Sequence, residues 1–145
     1  MSLVIDASMA VAWHVSRNDP NEAGMAMHAI HAVMSGGALI PNLWFVEIAN
    51  ALLTAERRHV TDRRAAARFL ADLDALPITV DSWAPVALRA EVLNLGRLHD
   101  LTAYGATYLE LALRTNSLLA TFDRKLADAC RKAGGHVFGD TPWKS

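Results

Sequence analysis

The sequence has little of what would place it in a specialised class of protein. One cysteine, Cys130, occurs among the 145 residues, so no disulfide can form within the chain, and we expect a small buried hydrophobic residue there rather than a reactive thiol. No apolar run approaches the ~20 residues of a membrane span, and the N-terminus lacks the pattern of a signal peptide. The expectation is a cytoplasmic protein without membrane contact.

The chain also has almost no excess of one charge over the other, because its net charge is only −1. A global positive field of the kind that non-specific nucleic-acid binders use is therefore excluded, and any contact with RNA has to be local. The sequence has no Walker loop, no Gly-x-Gly-x-x-Gly and no Gly-x-Ser-x-Gly elbow, which argues against nucleotide and acyl chemistry. His28 and His31 share a helical face but have no third ligand at a recognisable spacing, so zinc is not expected.

What is present indicates one α/β domain, which we place at residues 1–140 with a short tail at 141–145. The chain is 52% hydrophobic and 20% charged, as in ordinary globular proteins. Apolar strand patterns alternate with helical periodicity, which predicts a mainly parallel sheet with right-handed crossovers. Strands are predicted at 3–5, 38–40, 77–80, 117–122 and 136–138, and helices at 9–15, 22–33, 44–57, 62–73, from about 83, 102–114 and 123–133.

Two acids stand directly after predicted strands. Asp6 follows the first strand and Asp123 follows the fourth, and ligands of parallel sheets bind beyond such strand ends. If the two strands are neighbours, the carboxylates converge, and oxygen-only ligation then favours Mg²⁺ or Mn²⁺. The alternative is that each Asp simply caps the helix that follows it, since Asp is a preferred N-cap residue.

Other polar and charged positions can be explained either by function or by ordinary exposure to solvent. Glu47, Asn50 and Thr54 recur at helical spacing, which is typical of a solvated stripe. A basic stretch can either contact phosphates or form the solvated face of a helical hairpin. Its residues are Arg57, Arg58, His59, Arg63, Arg64 and Arg68.

Four blocks of the sequence together resemble the PIN-domain family, with the closest likeness to bacterial VapC toxins. The blocks are Val4-Ile5-Asp6-Ala7-Ser8, Pro41 through Glu47-Ile48-Ala49-Asn50-Ala51-Leu52, Leu101-Thr102-Ala103-Tyr104, and Leu119-Ala120-Thr121-Phe122-Asp123. The resemblance implies a three-layer α/β/α fold with a central, mainly parallel sheet of four to five strands. It further implies a metal-dependent endoribonuclease that hydrolyses phosphodiester bonds of structured RNA such as tRNA.

The resemblance also assigns roles to individual residues. Asp6, Glu47 and Asp123 become the ligands of Mg²⁺ or Mn²⁺ and the catalytic acids, with Ser8 and Thr121 as hydroxyls that support them. Family members usually carry a further acid where this chain has Gly105. Glycine is a poor residue for the first turn of a helix, so helix propensity does not explain it.

The glycine leaves two hypotheses open. Either the natural protein is an active nuclease and Gly105 is an inactivating change, or Gly105 is native and the chain is a weakened or non-catalytic RNA-binding or antitoxin-binding relative. Asp100 is a candidate to replace the missing acid, although it lies before the cap that Thr102 provides. A phosphoacceptor domain, a third class, is disfavoured because the acidic pair that it needs near the first strand is missing.

The family resemblance implies partners as well. We expect a homodimer and a small cognate antitoxin whose C-terminal segment lies in an apolar groove. The candidate groove residues are Trp13, Met25, Met27, Trp44 and Phe45, each of which can equally belong to the core.

Overall fold

The computed structural model describes residues 1–83 and 85–141, and within them every predicted strand is present. The strands are β1 (Leu3–Ile5), β2 (Ala38–Ile40), β3 (Ile78–Val80), β4 (Leu118–Ala120) and β5 (His136–Val137). The helices are α1 (Ala7–Val11), α2 (Pro20–Gly36), α3 (Leu43–Arg57), α4 (Arg63–Asp74), α5 (Pro85–His99), α6 (Ala103–Arg114) and α7 (Arg124–Lys132). The tail predicted at 141–145 lies outside the described residues except for residue 141.

The sheet confirms the predicted α/β class, because all four of its strand pairings are parallel. Its order is β3-β2-β1-β4-β5, so the chain moves outward from β1 in one direction and later in the other. Right-handed crossovers in two opposite directions place helices on both faces, which gives the three-layer α/β/α arrangement. The order reverses between β1 and β4, and a crevice forms at such a point.

Helix starts follow the capping residues more closely than the apolar periodicity. The prediction placed the start of α2 at Glu22, but Asp19 accepts hydrogen bonds from the backbone N–H groups of Asn21 and Glu22, and Pro20 takes the first helical position. Asp62 and Thr102 cap α4 and α6, which begin one residue after their predicted starts at 62 and 102. α1 begins two residues earlier than predicted because Asp6 caps it, and it ends at Val11, four residues before the predicted end.

The candidate groove residues do not form one surface. Trp44 is only 2% exposed and belongs to the core, so its assignment to an exposed groove was wrong. Met27 and Phe45 are exposed, whereas Trp13 and Met25 are partly buried against the core. Trp13 is also fixed by a hydrogen bond from its indole Nε1 to the carbonyl of Ala26 at 2.9 Å. The set therefore divides between core and surface.

The core confirms the prediction for the cysteine. Cys130 is fully buried, and its burial raises the pKa of the thiol. Gly135 packs so closely on it that a Cβ there would lie 2.7 Å from its Sγ.

Among the described residues, no helix has both the length and the apolar character that crossing a membrane requires.

Candidate functional site

An open pocket of about 950 Å³ lies at the carboxyl edge of the sheet, beside the crevice between β1 and β4. Its walls come from α1, the segment 16–19, the start of α2 and the exposed face of α3. The polar residues that line it are Ser8, Ser16, Arg17, Asn18, Asp19, Glu22, Glu47, Asn50 and Tyr104. The strand order thus places the pocket where parallel sheets bind ligands.

Asp6 is the centre of a hydrogen-bond network that joins the ends of β1 and β4. Its Oδ1 accepts from the backbone N–H of Met9 at 3.0 Å and from the Ser8 hydroxyl at 2.7 Å, and its Oδ2 accepts from the Thr121 hydroxyl. The Ser8 hydroxyl accepts from the Phe122 N–H at 3.0 Å. Asp6 therefore caps α1, as the capping explanation predicts, and also holds the two strand ends together; a cation site shared with Asp123 stays a prediction.

Asp6 is only 5% exposed, so burial opposes the ionisation of its carboxyl group. Desolvation raises the pKa of Asp6 from 3.8 to about 6, although the three hydrogen bonds from Thr121, Ser8 and Met9 act in the opposite direction. The negative charge of Glu47 raises it further. Asp6 is thus close enough to Glu47 to be affected by its charge.

Glu47 projects from the second turn of α3 and is partly buried. The Tyr108 hydroxyl donates to its Oε1 at 2.7 Å, and Tyr108 is itself 2% exposed. Burial, together with this bond, raises the pKa of Tyr108 above its usual value, so the hydroxyl keeps its proton and fixes the carboxylate. Sequence reasoning missed Tyr108; its position three residues after Gly105, on the same face of α6, was the available signal.

Asp123 is exposed and its side chain caps α7, with Oδ1 accepting from the Leu126 N–H at 3.1 Å. Its backbone N–H donates to the Thr121 hydroxyl at 2.9 Å, so its main chain belongs to the Asp6 network. The side chain of Asp100 is 94% exposed and pairs with Lys125 at 2.9 Å, with no hydrogen bond to Asp6, Glu47 or Asp123 among the described residues. The structure therefore gives no support to Asp100 as a replacement acid.

Gly105 occupies the first turn of α6, where its N–H donates to the Thr102 hydroxyl at 3.1 Å. A Cβ at this position would meet Thr102 Oγ1 at 3.6 Å and Leu101 Cβ at 3.8 Å, which are ordinary van der Waals contacts. No positive φ requires a glycine, since the positive-φ glycines of the described chain are Gly37, Gly134 and Gly139. The backbone therefore accepts a larger residue at this position.

Arg17 is the only basic side chain among the described residues that line the pocket. Its guanidinium stacks over the Phe122 ring, with 4.5 Å between Cζ and the ring centroid, and pairs with Glu22 at 2.7 Å. The pocket therefore carries a cation beside the residue that precedes Asp123.

Carboxylate oxygens such as those of Asp6 and Glu47 are suitable ligands for a hard divalent cation, but few of them lie together. Within residues 1–83 and 85–141, no three His, Cys, Asp or Glu side chains form a group that could hold a metal ion. A carboxylate has about four acceptor sites, and three hydrogen bonds already use most of those on Asp6. The side chains present thus offer few free oxygens for an ion, and the metal roles of Asp6, Glu47 and Asp123 stay predictions.

Comparison with known proteins gives consistent results from sequence and from structure. The family described as PIN domain matches residues 3–132. Ribonuclease VapC3 of Pyrobaculum aerophilum is 31% identical over 133 residues, which cover 88% of this chain and 94% of that protein. The crystal structure of PAE2754 from the same organism superposes with a TM-score of 0.67 at 25% identity, covering 89% of this chain and 84% of the other.

Proposed function

Because this chain belongs to the PIN-domain family, we propose that it is a VapC-like endoribonuclease toxin whose activity is impaired by Gly105. The substrate is RNA, in particular structured RNA such as tRNA, and the reaction is hydrolysis of a phosphodiester bond. Full activity requires Mg²⁺ or Mn²⁺ and an acid at position 105 beside Asp6, Glu47 and Asp123. One PIN domain at 1–140 carries this function.

The observation that supports the proposal most strongly is the pairing of Asp6 and Glu47 beside a pocket at the carboxyl edge of the sheet. Burial raises the pKa of Asp6, and the charge of Glu47 raises it further, so the two carboxyl groups lie close enough to interact. Tyr108 and Thr121 hold these carboxylates in place. A buried ionisable carboxyl group lowers the stability of the fold, and residues that do so are typical of functional sites.

The proposal extends to partners and location. A cognate antitoxin neutralises the toxin by covering the pocket, and the protein acts as a homodimer in the cytoplasm, as the likeness to VapC ribonucleases implies. The alternative is a non-catalytic PIN-fold protein that binds RNA or an antitoxin. This alternative is favoured because, among the described residues, no three His, Cys, Asp or Glu side chains form a group that could hold a metal ion.

The test of the proposal compares the Gly105 chain with Gly105→Asp and with Gly105→Ala, which adds the same Cβ without the carboxylate. We expect Gly105→Asp to cleave a tRNA pool in Mg²⁺ or Mn²⁺ at least roughly ten-fold faster, the low end of what a group supporting a metal site contributes. Gly105→Ala should stay at the level of the parent. Adding Asp6→Ala to the Gly105→Asp chain should abolish the gain.

Metal binding supplies a readout that is independent of cleavage. Titration calorimetry with Mn²⁺ should give tighter binding for Gly105→Asp than for Gly105→Ala. If Gly105→Asp folds and binds Mn²⁺ but cuts no RNA, the nuclease proposal is contradicted and the binding alternative takes its place.

A further inference from the structure

Five arginines project from the end of α3 and the start of α4, and we call this group the arginine hairpin. Its members are Arg57, Arg58, Arg63, Arg64 and Arg68, and all five are exposed. Within the described part of the chain, none of them forms an ion pair. Of the other described cations, Arg17, Arg114, Lys125 and Arg131 each have a carboxylate partner, whereas Arg89, Arg97, Arg124 and Lys132 have none. The hairpin differs from these in placing five arginines without ion pairs within twelve residues of a chain whose net charge is −1.

Two of these arginines stand where helix electrostatics disfavours them. Arg63 and Arg64 occupy the first turn of α4, which has no acidic residue. The positive end of the helix dipole lies there and repels cations. Asp62 caps the helix through its side chain but precedes the helical residues. Helix stability thus does not account for this pair of arginines.

The hairpin continues one wall of the pocket. Glu47, Asn50 and Ala51 line the pocket from α3, and Thr54 and Arg58 follow on the same face at intervals of three and four residues. At 1.5 Å per residue, Arg58 lies about 16 Å beyond Glu47 along the helix axis. A nucleic-acid backbone that reaches Glu47 can extend over the hairpin within a few nucleotides.

The hairpin is also held at a fixed position relative to the pocket. The His14 ring stacks on Phe69 of α4 with 4.8 Å between centroids and 15° between planes. The His14 Nε2 atom lies within hydrogen-bond distance of the Thr61 hydroxyl, at 2.7 Å. Because His14 follows α1, whose residues line the pocket, these contacts connect the hairpin to the pocket wall.

We propose that the arginine hairpin binds phosphates of the RNA substrate on one side of the cleaved bond and guides the strand along α3 into the pocket. The inference rests on the proposed function for the identity of the substrate. Planar guanidinium groups match phosphate oxygens in pairs, and a cluster without carboxylate partners is free to do so. RNA is favoured over an acidic protein segment because Arg58 follows Glu47 on the same face of α3 and α4 presents most of the other cations beside it.

The test measures binding of a short fluorescein-labelled RNA stem-loop by fluorescence anisotropy in EDTA, where no cleavage interferes. The variant Arg63→Gln/Arg64→Gln is compared with Arg89→Gln/Lys132→Gln, which removes two exposed cations that have no ion pair in the described chain. Because Arg63 and Arg64 oppose the dipole of α4, the hairpin variant should unfold at the same temperature as the parent or slightly higher. A loss of binding then cannot be ascribed to loss of fold.

The expected result is a roughly ten-fold weaker affinity for the hairpin variant, and a slope of log K against log salt that is smaller by about 1.5, as two lost phosphate contacts predict. The control pair should change neither value by as much. Equal losses in both variants, or no loss in either, would overturn the inference. Weaker binding of an acidic peptide with unchanged binding of RNA would assign the hairpin to a protein partner and would also overturn it.

A second measurement separates this inference from the proposed function. In the Gly105→Asp background, the hairpin substitutions should raise KM for tRNA cleavage more than they lower kcat. If Gly105→Asp cleaves RNA and the hairpin variant has the same KM, only the hairpin inference fails. If Gly105→Asp does not cleave but the hairpin variant still loses RNA affinity, the proposed catalysis fails and the phosphate-binding hairpin stands.

Discussion

At the scale of single residues, the site contains a conflict between the charge of Asp6 and the stability of the fold. The residue is buried at the junction of two strands, where burial opposes its ionisation, yet three hydrogen-bond donors favour the ionised carboxylate. A neutral residue at this position would satisfy the fold at lower cost. The conflict is therefore what a functional acid produces, and it can be measured without any assay of activity.

The pH dependence of stability should report this conflict in metal-free protein. The pKa of Asp6 is raised to about 6 in the folded chain, from 3.8, so the folded state holds this proton more tightly than the unfolded state. Stability should consequently fall as pH rises from about 4 to about 6, by at most ~3 kcal/mol. Asp6→Asn should remove this decrease. The measurement is urea unfolding in EDTA at pH 4.5 and 7.5.

Asp123→Asn serves as the control because Asp123 is exposed and caps α7 in the same way. It should retain the decrease in stability between the two pH values. If Asp6→Asn and the parent show the same pH dependence, Asp6 is not a strained carboxylate and the electrostatic argument for the site loses its basis.

At the scale of secondary-structure elements, very short strands are joined by junctions whose geometry is tightly specified. β1 to β4 have three residues each, so each strand end is close to a helix end. Gly37 joins α2 to β2 with φ at +76°, and a Cβ there would lie 2.9 Å from the carbonyl oxygen of Pro77. That same oxygen accepts from the Ala38 N–H at 3.1 Å and aligns β3 with β2. The glycine thus permits β3 to join the sheet.

Gly37→Ala should destabilise the protein by at least about 1 kcal/mol, because it combines an unfavourable φ with a close backbone contact. Gly24→Ala is the matched control: Gly24 lies inside α2, with no other atom within 4 Å of an added Cβ. It should stabilise by up to about 1 kcal/mol through helix propensity. Denaturant unfolding of both variants tests the pair, and equal effects would contradict the proposed role of Gly37.

At the scale of the whole molecule, one continuous core connects the sheet to helices on both of its faces. Leu119 in a central strand and Cys130 in α7 are both fully buried within it. α7 also contacts β5 at the edge of the sheet. A core of this kind is expected to open cooperatively rather than in parts.

Cys130 offers a direct test of that cooperativity. Its thiol is buried and its pKa is raised, so a thiol reagent such as DTNB should react only when the protein unfolds globally. The free energy of opening from the reaction rate should match the value from urea unfolding. Ser35→Cys, at an exposed position of α2, should react at once. Fast reaction of Cys130 under native conditions would show that α7 opens separately.

The sequence by itself determined the secondary-structure elements, because these depend on residues close together in the chain. Apolar periodicity predicted every strand, and cap residues predicted the starts of α4 and α6. Alternation of strands and helices also indicated a parallel sheet, and β1 and β4 proved to be neighbours. The metal roles of Asp6, Glu47 and Asp123 stay predictions.

Only the tertiary structure decided which side chains meet. The bond from Tyr108 to Glu47 joins residues 61 positions apart, and no local pattern encodes such a contact. The same holds for the burial of Trp44, whose helical spacing fitted core and surface equally. Local sequence fixes backbone conformation, whereas packing between distant elements decides which groups are buried and paired.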